Sequence, residues 1–159
     1  MPSITALIHT HNDALRLGRL LETLYPCDRI VVVDHGSEDS TLHVARDYAT
    51  TILPAEAGTL PARHIGGDPA DWILCLSPRE SLTEALAASL FEWKSEKLPA
   101  SVAGFSVFLR EETIDGWVQN PEPQMRLVPG DWNLWMGDVP IHDSSALALE
   151  GELLHFIFP

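Results

Sequence analysis

Ionisable and hydroxylic residues gather at three points of this 159-residue sequence, each directly behind an apolar run. SITALIHT (3–10) leads into His11 and Asn12. RIVVVD (29–34) ends on Asp34 and is followed by His35-Gly36-Ser37. DWILCL (71–76) is followed by Ser77-Pro78-Arg79-Glu80. Loops draw polar residues for solvation alone, yet three such clusters are more than a purely structural sheet requires. A carboxylate at Asp34 beside Gly36, where the chain can turn away tightly, suits the acceptance of hydrogen bonds from a ligand. The competing role for Asp34 and Ser37 is to cap the helix that follows. His9-Thr10-His11 sets two imidazoles on one side of a strand end, and Asp34, His35, His64 or His142 would complete a metal site of the hydrolase kind. That spacing is short and commonplace, so it specifies little by itself.

These clusters must be positioned by regular elements, and the pattern supplies them. Ser3–Thr10, Arg29–Asp34, Thr50–Leu53 and Asp71–Leu76 read as strands, and RIVVVD lacks polar alternation, as in a strand covered on both faces. Leu17, Leu20, Leu21 and Leu24 recur at helical spacing behind a cap at Asn12 or Asp13, and Pro26 stops that helix. Ser37 or Asp39 is expected to cap a second helix through Tyr48, and a short helix is expected around Leu60–Ile65. Ser81 and Glu84 form an S-x-x-E capping box ahead of Leu86, Leu90 and Trp93. Strands alternating with helices imply right-handed crossovers and a mainly parallel sheet. After Pro99 the texture turns β-rich, with strands at Val102–Leu109 and Ala146–Phe158 and loops rich in Trp and Pro. The expectation is one α/β domain over 1–159, with a doubly wound half (1–99) and a β-rich half (100–159).

Composition narrows the partners. The net charge is −13, with 10 Lys and Arg against 23 Asp and Glu, which disfavours nucleic acid. An anionic ligand would need local donors or a metal to offset that field. No apolar stretch is long enough to span a bilayer, and MPSITALIHTHND has neither a basic n-region nor a cleavable apolar block, so a cytoplasmic protein is expected. Cys27 and Cys75 sit in or beside apolar runs and read as reduced, buried thiols, although a disulfide is possible in principle. Trp117, Trp132 and Trp135 would stack on a sugar ring or, by default, pack in the core.

The motifs resemble those of family-2 glycosyltransferases of the GT-A fold. There a first strand ends Pro-Thr-Tyr-Asn-Glu, a second Val-Val-Asp-x-Gly-Ser-x-Asp-x-Thr, and a later one Leu-Asp-Ala-Asp-Glu. This chain reads IHTHND (8–13), VVVDHGSEDST (31–41) and WILCLSPRE (72–80). Downstream, Gly104-Phe105, Trp117, NPEPQMRL (120–127), IHD (141–143) and LLHF (153–156) are similar to the lipopolysaccharide-core branch of that family.

The resemblance implies a GT-A-like (Rossmann-like) sheet flanked by helices. The first half would bind nucleotide and the second would face the acceptor. A nucleotide sugar would be the donor, and a saccharide or lipid-linked molecule the acceptor. Asp34 would accept from base or ribose, with Thr10 and Asn12 lining the same pocket and Arg63 reaching the diphosphate. Glu122 and Asp143 fall where an inverting enzyme would keep its base. In the family, paired aspartates hold Mg²⁺ or Mn²⁺ on the sugar diphosphate. Ser77-Pro78-Arg79-Glu80 lacks that pair, so no metal and no cofactor are expected. Either Arg79 replaces the cation or catalysis has been lost and a silent nucleotide- or partner-binding module remains.

Overall fold

The computed structural model describes residues 2–159. The chain runs β1 (Ser3–Thr10), α1 (Ala14–Leu21), β2 (Arg29–Asp34), α2 (Thr41–Arg46), β3 (Thr51–Pro54), a 3-10 turn (Pro61–His64) and β4 (Asp71–Leu76). β5 (Glu80–Leu82), α3 (Glu84–Ser95), β6 (Phe105–Thr113), β7 (Gly116–Gln119) and β8 (Gln124–Val128) follow. The chain closes with β9 (Trp135–Met136), β10 (Val139–Pro140) and β11 (Leu147–His155). The large sheet has the order β3-β2-β1-β4-β8-β6-β11-β5, with β7 on β6, while β9 and β10 form a separate ribbon.

The first four strands form a parallel block, as the alternation of strands and helices requires. Thr10 pairs with Asp34 and Ile8 with Leu76, so the carboxyl ends of β2, β1 and β4 lie side by side. β8 then runs antiparallel to β4 and to β6, and β11 returns parallel to β6. This places Gln124, at the start of β8, near the carboxyl end of β4.

Both faces of the sheet are covered. Ile4, Ala6 and Ile8 point to a core shared with Leu17, Leu20 and Leu24 around α1 and with Leu86, Leu90 and Trp93 on α3. Leu7, Val31, Val33, Ile73 and Cys75 point to a second, smaller core, closed by Ala62 and Ile65 at the 3-10 turn and by Trp132 and Trp135. The RIVVVD run is therefore apolar because β2 is covered on both sides.

Several boundaries differ from the sequence reading. Ser81 is not a cap: it lies in β5 opposite Leu154, and Thr83 caps α3, its Oγ1 accepting from the Leu86 N–H at 3.3 Å. α2 ends at Arg46 rather than Tyr48, and its N-cap is Ser40. β6 begins at Phe105 and continues to Thr113, where Ile114-Asp115 turns it into β7. Trp117 is exposed, its ring edge against Phe156, while Trp132 and Trp135 are half-buried.

Candidate functional site

The carboxyl ends of β1 and β2 are cross-linked by side chains. Asp34 Oδ1 accepts from Thr10 Oγ1 at 2.8 Å and from Ser37 Oγ at 2.6 Å, and its Oδ2 accepts from the Ser37 N–H at 2.9 Å. Asn12 takes a positive φ of 54°, donates its N–H to Ser37 Oγ at 2.9 Å, and accepts from the Glu38 N–H at 2.8 Å. Thr10, Asn12, Asp34 and Ser37 are thus brought together. The carboxylate of Asp34 is only 9% exposed. Burial pushes its pKa up, but the hydrogen bonds from Ser37 and Thr10 outweigh that and hold the group ionised below its ordinary range.

The turn after β4 has a different character. Glu80 is 1% exposed and Arg126, from β8, is 7% exposed. They form a two-pronged pair: Nη1 donates to Oε1 at 2.8 Å and Nη2 to Oε2 at 2.9 Å. The Ser77 N–H also donates to Oε1 at 2.8 Å, and His155 Nδ1 lies 3.3 Å from Oε2. Burial pushes the Glu80 pKa up; the hydrogen bonds from His155 and Arg126, together with the Arg126 charge, outweigh it and hold the group at about 2. This carboxylate ties the β4–β5 turn to β8 and has no free face for a cation. Ser77 offers only a hydroxyl and Arg79 a positive charge, so residues 77–80 do not fit Mg²⁺ or Mn²⁺. Arg79 itself is exposed and has no carboxylate partner among the described residues.

The remaining candidates stand apart from this cluster. Arg63, exposed on the 3-10 turn, borders a groove of about 320 Å³ with Leu53, Glu56 and Thr59 beyond the end of β3. Glu122 is exposed and lines a cavity of about 570 Å³ with His142, Gln124 and Arg126. Asp143 is not among the residues lining that cavity. Its Oδ1 accepts from Ser145 Oγ at 2.7 Å and from the Ser145 N–H at 2.9 Å, which holds its pKa down and weakens it as a base. A smaller cavity of about 180 Å³, bordered by His9, Ser77 and Asp138, shares Arg126 and Val139 with the larger one.

The imidazoles divide. His11 Nδ1 is 2.8 Å from the backbone oxygen of His35, which holds the His11 ring there. His9 Nδ1 instead meets His35 Nε2 at 2.9 Å, and its Nε2 lies 3.5 Å from Asp138 Oδ1. Burial lowers the His9 pKa; Asp138 opposes that, while His35 and His64 add to it. Sequence reasoning missed Arg126 and Asp138. An arginine inside the apolar run MRLV, with an acid in the turn after β4, was the available signal for the first. Nothing local marks Asp138.

The sequence matches no family model and no curated protein. Among solved structures, a mycobacterial protein superposes with a TM-score of 0.50 at 12% identity, over 70% of this chain and 42% of its own. Mannosyl-3-phosphoglycerate synthase from Rubrobacter xylanophilus gives 0.49 at 19% identity, over 69% and 39% of the two chains. Glucosyl-3-phosphoglycerate synthase from Mycobacterium tuberculosis gives 0.43 at 12% identity, over 69% and 43%. The chain thus spans less than half the length of these structures, and the likeness is one of fold alone, a mixed α/β chain built on a large sheet.

One expectation is corrected here. The absence of any metal cofactor was inferred from the missing aspartates, but the mycobacterial synthase is solved with UDP and Mn²⁺ and with UDP and Mg²⁺. Within this chain, His9, His35 and Asp138 also gather ligand atoms, none of them from the 77–80 turn. Losing the acidic pair does not make the chain metal-free. No helix among the described residues is long and apolar enough to cross a membrane.

Proposed function

We propose that this chain is a cytoplasmic glycosyltransferase-like domain of family 2, closest to the lipopolysaccharide-core branch. It holds a nucleotide sugar across the carboxyl ends of β1, β2 and β4. The observation that carries this reading is the lock of Thr10, Asn12, Asp34 and Ser37 across neighbouring parallel strand ends, where open α/β sheets take their ligands. Asp34 accepts from base or ribose with the lone pairs its three internal hydrogen bonds leave free. Thr10 and Asn12 frame the same pocket. Arg63 and Arg79 offer planar donors to the diphosphate, and their charge offsets the acidic field of the chain.

In transfer, a hydroxyl of the saccharide or lipid-linked acceptor attacks the anomeric carbon on the face opposite the nucleotide. The new C–O bond forms as the bond to the diphosphate breaks, and configuration inverts. The hydroxyl proton passes to a carboxylate, for which exposed Glu122 is the first candidate and Asp143, engaged by Ser145, the second. The charge left on the diphosphate falls to Arg79. Two free thiols, both pushed by burial to about 12, accord with a reducing compartment.

A second reading, a silent nucleotide- or partner-binding module, is favoured by the Glu80–Arg126 pair. It consumes the one acid that the degenerate 77–80 motif retains. Thermal-shift measurements with nucleoside diphosphates and sugar nucleotides, each with and without Mn²⁺, test the binding common to both. A saturable shift is expected, and its absence across the panel would remove both readings. Release of free nucleoside diphosphate from a sugar nucleotide, abolished by Glu122→Gln, supports transfer. Binding without release supports the silent module.

A further inference from the structure

His9, His35 and Asp138 come from three elements that the sequence keeps far apart. His9 is the penultimate residue of β1, on the side of the smaller core, His35 follows β2, and Asp138 sits in the turn between β9 and β10. Gly137, at a φ of 61°, makes that turn possible. One ligand atom from each of the three lies within 4.8 Å of the others. Donors bound at about 2.0–2.2 Å to one ion stand roughly 3.0–3.6 Å apart, so modest side-chain shifts close the set. His9 Nε2 is shielded from solvent yet completes no hydrogen bond, an unmet need that a bound cation would satisfy. Arg126, which borders the same cavity as His9 and Asp138, is paired with Glu80, and that carboxylate offsets its charge toward a positive ion here.

We propose that His9, His35 and Asp138 bind a divalent transition-metal cation of the zinc class. Two imidazoles and one carboxylate suit zinc better than magnesium, which prefers oxygen ligands throughout. Three protein ligands leave at least one coordination position for water or an oxygen ligand, the arrangement of a reactive rather than a sealed site. His64 stands edge-on to His9, with 6.1 Å between ring centroids, on the same side of the cluster. Two of the three ligands, His9 and Asp138, border a cavity shared with Ser77 and Pro78, but the set includes no residue of the 77–80 turn.

The test uses the full chain, stripped with chelator and dialysed against limiting zinc. Metal content is measured by mass spectrometry, and affinity by competition with a chromophoric chelator. His35 and Asp138 are exposed, so His35→Ala and Asp138→Asn remove ligands without opening the core; circular dichroism checks the fold. One zinc per chain is expected, weakened about tenfold or more in each variant, unchanged in His43→Ala and not displaced by excess Mg²⁺. Cobalt substitution should give visible ligand-field bands that vanish in His35→Ala. No retained zinc, or equal affinity in the original chain and both ligand variants, would overturn the assignment.

Discussion

Removing either member of the Glu80–Arg126 pair leaves the other charged and buried. Arg126→Met should therefore cost about 3–5 kcal/mol in urea denaturation, far more than an exposed ion pair would. The pH dependence has a definite sign. Glu80 titrates near 4.5 when unfolded and about 2 when folded, so its contribution is fully present above 4.5 and disappears as pH falls through about 2. Acid unfolding followed by fluorescence should show stability falling across that window, and Glu80→Gln should flatten it. An unchanged acid profile in Glu80→Gln would deny the pair this role. Asp34→Ala removes the acceptor for Thr10 and Ser37 as well as the one proposed for a nucleotide. It should weaken nucleotide binding by about 1–3 kcal/mol in calorimetry and lower the melting midpoint together with it. A lower midpoint with intact affinity would leave Asp34 only its structural task.

Among the elements, β11 is pinned to the start of α3 at Gly151. That glycine has a φ of 90°, and a Cβ there would collide with the backbone of Ala85 and Leu86. Gly151→Ala should destabilise the fold by several kcal/mol, since strain and backbone overlap add. A change below about 1 kcal/mol would contradict that packing. Thr83→Ala should cost about 1 kcal/mol by removing the true α3 cap.

What was legible at this scale follows from periodicity. The first four strands and the Leu17-Leu20-Leu21-Leu24 stripe stood out because covered strands and amphipathic helices have strong local patterns. The capping box misled because Ser81 is drawn into β5 by pairing with β11, a partner some seventy residues on that no local rule reveals. The buried start of β6 stood out within Val102–Leu109, whereas its far end and β7 are exposed and lack an apolar pattern, which hid the hairpin in a loop-like texture. Thr10, Asn12 and Asp34 could be grouped because parallel strand ends align. The Glu80–Arg126 pair and the Asp138 contact arise from antiparallel returns and a two-stranded ribbon, whose register is set by tertiary packing.

Over the whole molecule, a net charge of −13 works against any anionic ligand, which makes Arg79, in the turn after β4, the most informative test. Arg79 is exposed, so its replacement should leave the fold intact and report on ligand contact alone. The decisive measurement is calorimetric titration of the nucleoside diphosphate giving the largest thermal shift into the unaltered chain and into Arg79→Ala. For the proposed role of Arg79 one saturable site is expected, weakened about tenfold in the variant by loss of a charged hydrogen bond. No saturable binding by the unaltered chain, or equal affinity in Arg79→Ala, would contradict it.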